Sequence, residues 1–218
     1  MITLLVATRN AHKVAEIRQI LSHHWRCLSQ LDFPGAPAIV EDAASFAGNA
    51  RKKAEGLAAW LAGHPELTPD KADDAPFYIL ADDSGLEVDA LAGAPGVHSA
   101  RFAVAKTGGP ANALDAANNA KLLRLLMGVP PARRTARFRC VLALAPLRPP
   151  PVGHATLLFE GSCEGRIGLS PAGTGGFGYD PLFLPEGCTQ SLAELGESVK
   201  NTISHRARAL QKLRDYLS

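Results

Sequence analysis

The sequence predicts an α/β fold, because short apolar runs of strand length alternate with segments of helical apolar spacing. The first run, residues 2–7, is followed by Val14, Ile17 and Leu21, which lie on one face of a helix. A second run, residues 77–80, ends in polar residues and glycine. The 218 residues can bury a full core as one large domain or two small lobes.

Charge and cysteine use exclude several classes of protein. The 23 Lys and Arg residues against 21 Asp and Glu residues give a net charge of +2, so we expect no nucleic-acid partner and, at most, a small polyanion. The chain start lacks a basic region, and no apolar run approaches the roughly 18 residues of a membrane span, so we expect neither a signal peptide nor a membrane. Four scattered cysteines favour reduced thiols in the cytoplasm.

Residues 8–13, Thr-Arg-Asn-Ala-His-Lys, are predicted to form a short polar loop between the first strand and the first helix. Backbone N–H groups at a helix start and the charge of Lys13 suit a phosphate group. The segment lacks the glycines of a P-loop, so an ordinary strand-to-helix turn is the alternative.

Glu41 and Asp42 precede a second predicted helix, on which Asn49 and Lys53 share one face. Its apolar face contains Phe46, Ala50, Leu57 and Leu61. The acidic pair is interpreted either as favourable charge near a helix start or as a metal site. Residues 63–76 are predicted to be a polar loop outside the core that carries no chemistry.

Two adjacent carboxylates, Asp82 and Asp83, follow the second apolar run. If that run is a buried strand, the pair lies at a sheet edge, where α/β proteins place their chemistry. Successive side chains of a strand point to opposite faces, so one aspartate should face a cleft and the other the supporting structure. A helix cap or tight turn is the alternative, because Asp, Ser and Gly are common in both.

The middle of the chain is predicted to be structural. Residues 93–96, Gly-Ala-Pro-Gly, predict a defined turn, and a third helical pattern from Leu114 to Leu126 ends at Gly128. Arg137 and Arg139 alternate with apolar residues, which favours a strand with one solvated face over a nucleic-acid site. Residues 141–147 and 155–160 are predicted to be paired strands joined by a proline-rich turn at residues 149–151.

Two late segments suggest ligand binding. Residues 173–181 place two aromatic residues among four glycines, which suits a loop that stacks on a flat ligand, although a connector with buried aromatics is the alternative. In the last helix, Ser204 is the predicted N-cap, with His205 and Arg206 in the first turn. Positive side chains there oppose the helix dipole, which indicates a bound anion.

Six motifs in chain order resemble those of the inosine/xanthosine triphosphate pyrophosphatases, a family that removes non-standard purine nucleotides. They are Thr8-x-Asn10-x-x-Lys13, Phe46-x-x-Asn49-Ala50-x-x-Lys53-Ala54, Ala81-Asp82-Asp83-Ser84-Gly85-Leu86, Gly93-Ala94-Pro95-Gly96-Val97-x-Ser99-Ala100-Arg101, Gly175-Gly176-Phe177-Gly178-Tyr179-Asp180-Pro181 and Ile203-Ser204-His205-Arg206-Ala207. The resemblance implies Mg²⁺-dependent hydrolysis of ITP, dITP or XTP to the monophosphate and pyrophosphate. It also implies a mixed α/β fold with a long twisted central sheet, two lobes around a nucleotide-binding cleft in a single domain over residues 1–218, and a homodimer.

The resemblance also implies roles for individual residues. Glu41 and Asp83 are expected to hold magnesium, and Asp83 is also expected to accept the proton. The expected substrate-binding residues are Thr8, Arg9, Asn10, Ala11, His12, Lys13, Lys53, Ser84, Phe177, Gly178, Tyr179, Asp180, Lys200, His205 and Arg206. Three features depart from the family pattern without removing a ligand, namely Ala43, His98 and the long connection over residues 63–76.

Base selection is expected to depend on the carbonyl at position 6 of the purine. A backbone N–H in residues 177–180, or a donor from His205 or Arg206, would bond this carbonyl and would be left unpaired by adenine. Two alternatives stay open: a related pyrophosphatase for modified pyrimidine or methylated nucleotides, and a nucleotide-binding protein without catalysis.

Overall fold

In the computed structural model, the chain folds into a mixed six-stranded sheet with helices. The structure describes residues 2–21, 25–68, 76–103, 111–147 and 156–218, without the side chains of residues 111–114. The strands are β1 (Thr3–Val6), β2 (Arg26–Ser29), β3 (Phe77–Val88), β4 (Thr135–Pro146), β5 (Leu157–Ile167) and β6 (Phe183–Pro185). The α-helices in the described ranges are α1 (Ala11–Leu21), α2 (Phe46–Ala62), α3 (Ala111–Leu125), α4 (Leu192–Ile203) and α5 (His205–Leu217).

The sheet order is β2-β1-β3-β4-β5-β6. β1 runs parallel to β2 and β3, whereas β5 and β6 are antiparallel, which confirms the predicted mixed α/β class. The predicted pairing of β4 with β5 is confirmed, and both strands are longer than expected. The proline-rich turn and residue 155 lie outside the described residues.

The chain divides into two compact units. The first comprises Met1–Asp83, Val141–Glu160 and Ala209–Ser218, and the second comprises Ser84–Cys140 and Gly161–Arg208. Each of the strands β3, β4 and β5 therefore contributes residues to both units. The description as one bilobed domain over residues 1–218 stays a prediction.

The first helix begins earlier than predicted. Residues 11–13 were expected in a loop, but they form the first turn of α1, because the Asn10 side chain caps it. Its Oδ1 atom accepts hydrogen bonds from the N–H groups of His12, at 2.9 Å, and Lys13, at 3.2 Å. The predicted apolar face of α1 is confirmed, since Val14, Ile17 and Leu21 are all buried.

The aspartate pair lies inside a strand and not directly after it, although the parallel neighbour β1 ends at Val6, opposite Leu80 and two residues before Asp82. β3 continues through Asp82 and Asp83 to Val88, and it lies in the interior of the sheet between β1 and β4. A buried carboxylate interrupts a strand only if it lacks a partner, and both aspartates have lysine partners. Beyond the pair, Leu86 and Val88 are buried and Glu87 between them is partly exposed.

The second helix forms as the sequence predicts. Ser45 is its N-cap, and the Ser45 hydroxyl accepts a hydrogen bond from the Gly48 N–H at 3.1 Å. The four predicted apolar residues are buried, and so are Asn49 and Lys53 on another face. After α2, the described residues 63–68 and 76 lie at or near the surface, as predicted, and residues 69–75 fall outside the described part of the chain.

A hydrophobic core fills the second unit. Leu86, Leu122, Phe138 and Phe183 belong to it, and the Phe138 and Phe183 rings lie 4.7 Å apart between their centroids. The turn at residues 93–96 is confirmed by left-handed backbone at Gly93 and Gly96. No helix in the described ranges is both long and apolar enough to cross a membrane.

Helix α4 was not predicted from the sequence. A reciprocal cap starts it, in which the Ser191 hydroxyl accepts from the Glu194 N–H and the Glu194 carboxylate accepts from the Ser191 N–H. Gly196, at φ +79°, interrupts the helical backbone. The Ser-x-x-Glu sequence is the signal that identifies this helix, whereas the glycine obscures its apolar pattern.

Candidate active site

Lys53 is the centre of a charged group in the first unit. Its ammonium donates hydrogen bonds to the Asp82 carbonyl at 2.7 Å, to Asp83 Oδ1 at 2.8 Å and to Glu41 Oε2 at 3.1 Å. The Lys53 side chain is buried. One lysine on α2 thus joins the two predicted metal ligands, which are 42 residues apart in the chain.

Asn49 belongs to the same group, one helical turn before Lys53. Its Nδ2 donates to Asp83 Oδ2 at 3.3 Å, and its Oδ1 accepts from the Ala43 N–H at 2.9 Å. Asn49 therefore links Asp83 to the segment that carries Glu41. Sequence reasoning placed Asn49 beside Lys53 but gave it no site role.

Asp82 has a different lysine partner. Its carboxylate is fully buried and forms an ion pair with Lys13, from the first turn of α1. The two aspartates thus contact lysines of different helices, as the alternation of side chains along a strand predicts. Lys13 therefore joins the group of carboxylates through its ion pair with Asp82.

Opposing effects set the protonation of the two predicted metal ligands. Burial raises the pKa of Glu41, but the charge and hydrogen bond of Lys53 lower it more, so the pKa lies below its usual value. Burial also raises the pKa of Asp83, and it outweighs the effect of the two lysines, so this pKa lies above its usual value. The pKa values of the two carboxylates are therefore shifted in opposite directions from their usual values.

The donor set fits magnesium held together with a phosphate group. Mg²⁺ is usually bound by one or two carboxylates plus waters and substrate phosphates. Glu41 and Asp83 supply two carboxylates that share one ammonium partner. Across the described part of the chain, no group of three or more His, Cys, Asp or Glu side chains is arranged to hold a metal.

The predicted phosphate segment, residues 8–13, is held by its own polar side chains. The Thr8 hydroxyl accepts from the Asn10 N–H at 3.1 Å, and Arg9 donates to the Ala36 carbonyl at 2.7 Å. Arg9, Asn10, Ala11 and His12 are exposed. Lys13 is the residue of this segment that contacts the carboxylate group.

Asp180 and Lys200 form a buried ion pair in the second unit. The Lys200 ammonium lies 2.6 Å from Asp180 Oδ2, and both side chains are 3% exposed. The same oxygen accepts a hydrogen bond from the Phe177 N–H at 2.9 Å. Lys200 also lies over the Phe177 ring, 4.5 Å from its centroid. Three of the predicted substrate residues, Phe177, Asp180 and Lys200, are therefore in direct contact.

Arg206 joins this group from the first turn of α5. It is almost fully buried, donates to the Ser84 hydroxyl at 3.0 Å and lies 5.8 Å from the centroid of the Phe177 ring. The neighbouring His205 ring stacks on Phe138 at 4.8 Å between centroids. The predicted N-cap is confirmed, because the Ser204 hydroxyl accepts from the Ala207 N–H at 3.2 Å.

Three of the four backbone N–H groups of residues 177–180 donate within the protein. The Phe177 N–H bonds Asp180, the Gly178 N–H bonds Asp115, and the Asp180 N–H bonds the Phe177 carbonyl at 3.3 Å. Tyr179 is buried, and its hydroxyl donates to the Ser99 carbonyl at 2.9 Å. Of the aromatic residues in this loop, Phe177 is thus the one that remains partly exposed.

A methyl group at Gly176 is expected to disrupt this loop. Gly176 has φ +72°, and a Cβ there would overlap Asp180 Oδ2, which Lys200 and the Phe177 N–H hold in place. Gly176→Ala should therefore lower the free energy of unfolding by about 2–4 kcal/mol, measured by denaturant titration. Gly187→Ala is the control, because Gly187 has φ +78° and open space; we expect about 1 kcal/mol there. Equal losses would contradict the role of Asp180.

Comparison with known proteins gives matches over nearly the full chain. The family model described as Ham1 family matches residues 4–216. A dITP/XTP pyrophosphatase of Desulforamulus reducens is 49% identical over 216 residues, which cover 99% of this chain and 95% of the relative. A dITP/XTP pyrophosphatase of Shouchella clausii is 45% identical over 212 residues, which cover 97% of this chain and 94% of the relative.

A solved structure gives the same result for the fold. A HAM1 protein from Coxiella burnetii superposes with a TM-score of 0.77 at 34% sequence identity, covering 100% of this chain and 98% of the other. These matches confirm the resemblance drawn from the six motifs. The individual site roles remain predictions, supported by the contacts described above. The chain belongs to the Ham1 family.

Proposed function

We propose that this chain hydrolyses non-standard purine nucleoside triphosphates, namely ITP, dITP and XTP, to the monophosphate and pyrophosphate. The observation that carries this proposal is the near full-length similarity to enzymes named for that activity. The contacts of each unit support it, because the first collects carboxylates and lysines and the second collects cations around a partly exposed aromatic ring. These are the groups that a triphosphate and a purine require.

In the proposed reaction, Glu41 and Asp83 would hold Mg²⁺. The metal, when bound, lowers the pKa of water and neutralises charge on the phosphates. Asp83 accepts a hydrogen bond from the attacking water and orients it, and Asn49 and Lys53 fix the Asp83 carboxylate for this task. Lys13 and Lys53 contribute positive charge against the charge that develops on the pyrophosphate leaving group.

Base selection is proposed to depend on side chains more than on the backbone of residues 177–180. Since three of the four N–H groups there already have acceptors in the protein, the donor for the purine 6-carbonyl is assigned to Arg206 or His205. The first turn of α5 holds both residues, where the positive charge of Arg206 opposes the helix dipole. A bound nucleotide offsets that unfavourable charge.

A substrate panel tests the proposal. We expect pyrophosphate release from ITP, dITP and XTP to exceed release from ATP by about hundredfold or more, because adenine leaves buried donors unpaired at about 1–3 kcal/mol each. Removal of Mg²⁺ with a chelator should abolish release. Faster turnover of modified pyrimidine triphosphates than of ITP would favour the alternative pyrophosphatase. Absence of release from every triphosphate would favour a binding protein.

The proposal extends to the partners and the location of the protein. A homodimer is implied by the family resemblance. The near-neutral charge argues against a nucleic-acid partner, and the four free cysteines are typical of the cytoplasm, where nucleotide pools are maintained.

A further inference from the structure

The backbone N–H and C=O groups of Gly178 are bound by two side chains of α3, to which the family resemblance gave no role. The Gly178 N–H donates to Asp115 Oδ2 at 2.8 Å. Asn119 Nδ2 donates to the Gly178 carbonyl at 3.0 Å. Both ends of one glycine residue are thus bound by one helix, 59 to 63 residues away in the chain.

The two side chains supply the acceptor and the donor that the Gly178 backbone requires. Asp115 and Asn119 are four residues apart, so they lie on one face of α3. The carboxylate accepts from the N–H group, and the carboxamide donates to the carbonyl group. Gly178 has φ +65°, a conformation that most residues avoid, so the loop needs both a glycine and external contacts to hold this shape.

The rest of the loop is held on its other sides. Asp180 is tied to Lys200 and to the Phe177 N–H, and the Tyr179 hydroxyl is bonded to Ser99. Gly178 lies directly between Phe177 and Tyr179 in the chain. Loss of the α3 contacts therefore releases the Gly178 N–H and C=O, which no other element bonds among the described hydrogen bonds, and loosens the backbone directly after Phe177.

We propose that Asp115 and Asn119 are positioning residues that clamp Gly178 and thereby hold the Phe177 ring where it stacks on the purine. This inference rests on the proposed function, because it assigns residues 177–180 to the base. The two residues act through the loop and do not contact the substrate themselves.

The residue next to Asn119 provides a matched control. Asn118 is the same residue type on the same helix and is also buried. Its side chain accepts from the Ala103 N–H at 2.6 Å and donates to the Ala100 carbonyl at 3.3 Å, so it stabilises a different segment. Asn118→Ala removes buried hydrogen bonds of the same kind without releasing Gly178.

The test compares the steady-state kinetics of four variants with those of the Asn118→Ala control. Asp115→Ala and Asn119→Ala should raise KM for ITP about tenfold with kcat within about twofold of wild type. Inhibition by inorganic pyrophosphate, which has no base, should be unchanged. Asp115→Asn should retain a KM near that of wild type, because the amide oxygen still accepts. Asn119→Asp should behave like Asn119→Ala, because its carboxylate faces a carbonyl.

The outcomes separate the clamp from general stability and from the function itself. KM values unchanged in both alanine variants, or raised equally by Asn118→Ala, would overturn the proposal. If the wild-type chain releases no pyrophosphate from any purine triphosphate, the proposed function is refuted, and hydrogen exchange decides the clamp alone. Faster exchange at Gly178 in Asp115→Ala supports the clamp, and an unchanged rate overturns it.

Discussion

Replacing Asp83 by asparagine is expected to reduce pyrophosphate release from ITP by about 10³-fold or more while the chain stays folded. The amide has the size of the carboxylate but neither its charge nor its capacity to bind magnesium. Folding should tolerate the change, because burial already disfavours the ionised form of Asp83 and the amide avoids that cost. We expect the free energy of unfolding to change by no more than about 1 kcal/mol.

The measurement pairs turnover of ITP with denaturant unfolding of the same preparation. Asp89→Asn is the control, because Asp89 follows the end of the same strand but is exposed and pairs with Arg137 at the surface. That variant should keep wild-type turnover, because Asp89 has no role in the proposed site. Its free energy of unfolding should change little, since a surface ion pair contributes only about 0–1 kcal/mol to stability. Turnover of Asp83→Asn at the wild-type rate would exclude Asp83 as the residue that orients water.

The elements with clear apolar periodicity were predictable from the sequence. Helix α1 follows from Val14, Ile17 and Leu21, because only a 3.6-residue period brings these side chains to one buried face. Helix α4 has no such clear pattern, since Gly196 breaks its backbone, and it is identified only by the Ser191 and Glu194 cap. Capping residues thus identify this helix where the apolar pattern does not.

The length of β3 could not be predicted in the same way. Two adjacent aspartates normally end a buried strand, because an unpaired buried carboxylate is costly. Here Lys13 and Lys53 remove that cost, but they come from helices 69 and 30 residues away in the chain. Which lysine meets which carboxylate is decided by tertiary packing, which sequence spacing does not contain.

The candidate site was predictable in its residue types but not in its contacts. The family motifs included Glu41, Lys53 and Asp83, and the structure joins all three. Asn49 belongs to the second family motif and is predicted to share a face of α2 with Lys53, but no site role was assigned to it from the sequence, although it bonds Asp83 directly. The clamp from α3 has no sequence signal, because Asp115 and Asn119 look like ordinary polar residues of a helix.

Replacing Lys53 by methionine is expected to lower both activity and stability. The ammonium binds two carboxylates and a carbonyl in a buried position, so its removal leaves like charges close together without a counter-charge. Breaking such a buried pair should lower the free energy of unfolding by about 2–4 kcal/mol. Turnover of ITP should fall by about 10²-fold or more, because Asp83 loses its orientation and the leaving group loses a cation.

Lys52→Met is the matched control, since the two lysines are adjacent on α2. The Lys52 side chain is half exposed and pairs with Asp42 at the surface. Its replacement should change the free energy of unfolding by less than about 1 kcal/mol and leave turnover unchanged. Similar losses in both variants would mean that Lys53 has no special role.

A double variant identifies the cause of the instability. Methionine keeps most of the apolar volume of the lysine side chain, so lost packing predicts only a small change. If uncompensated charge is the cause, Lys53→Met combined with Asp83→Asn should be more stable than Lys53→Met alone by about 1–2 kcal/mol, because one of the two facing carboxylates becomes neutral. Additive losses would place the cause in packing. Recovery would show that the lysine is required to hold two carboxylates together where a divalent cation is proposed to bind.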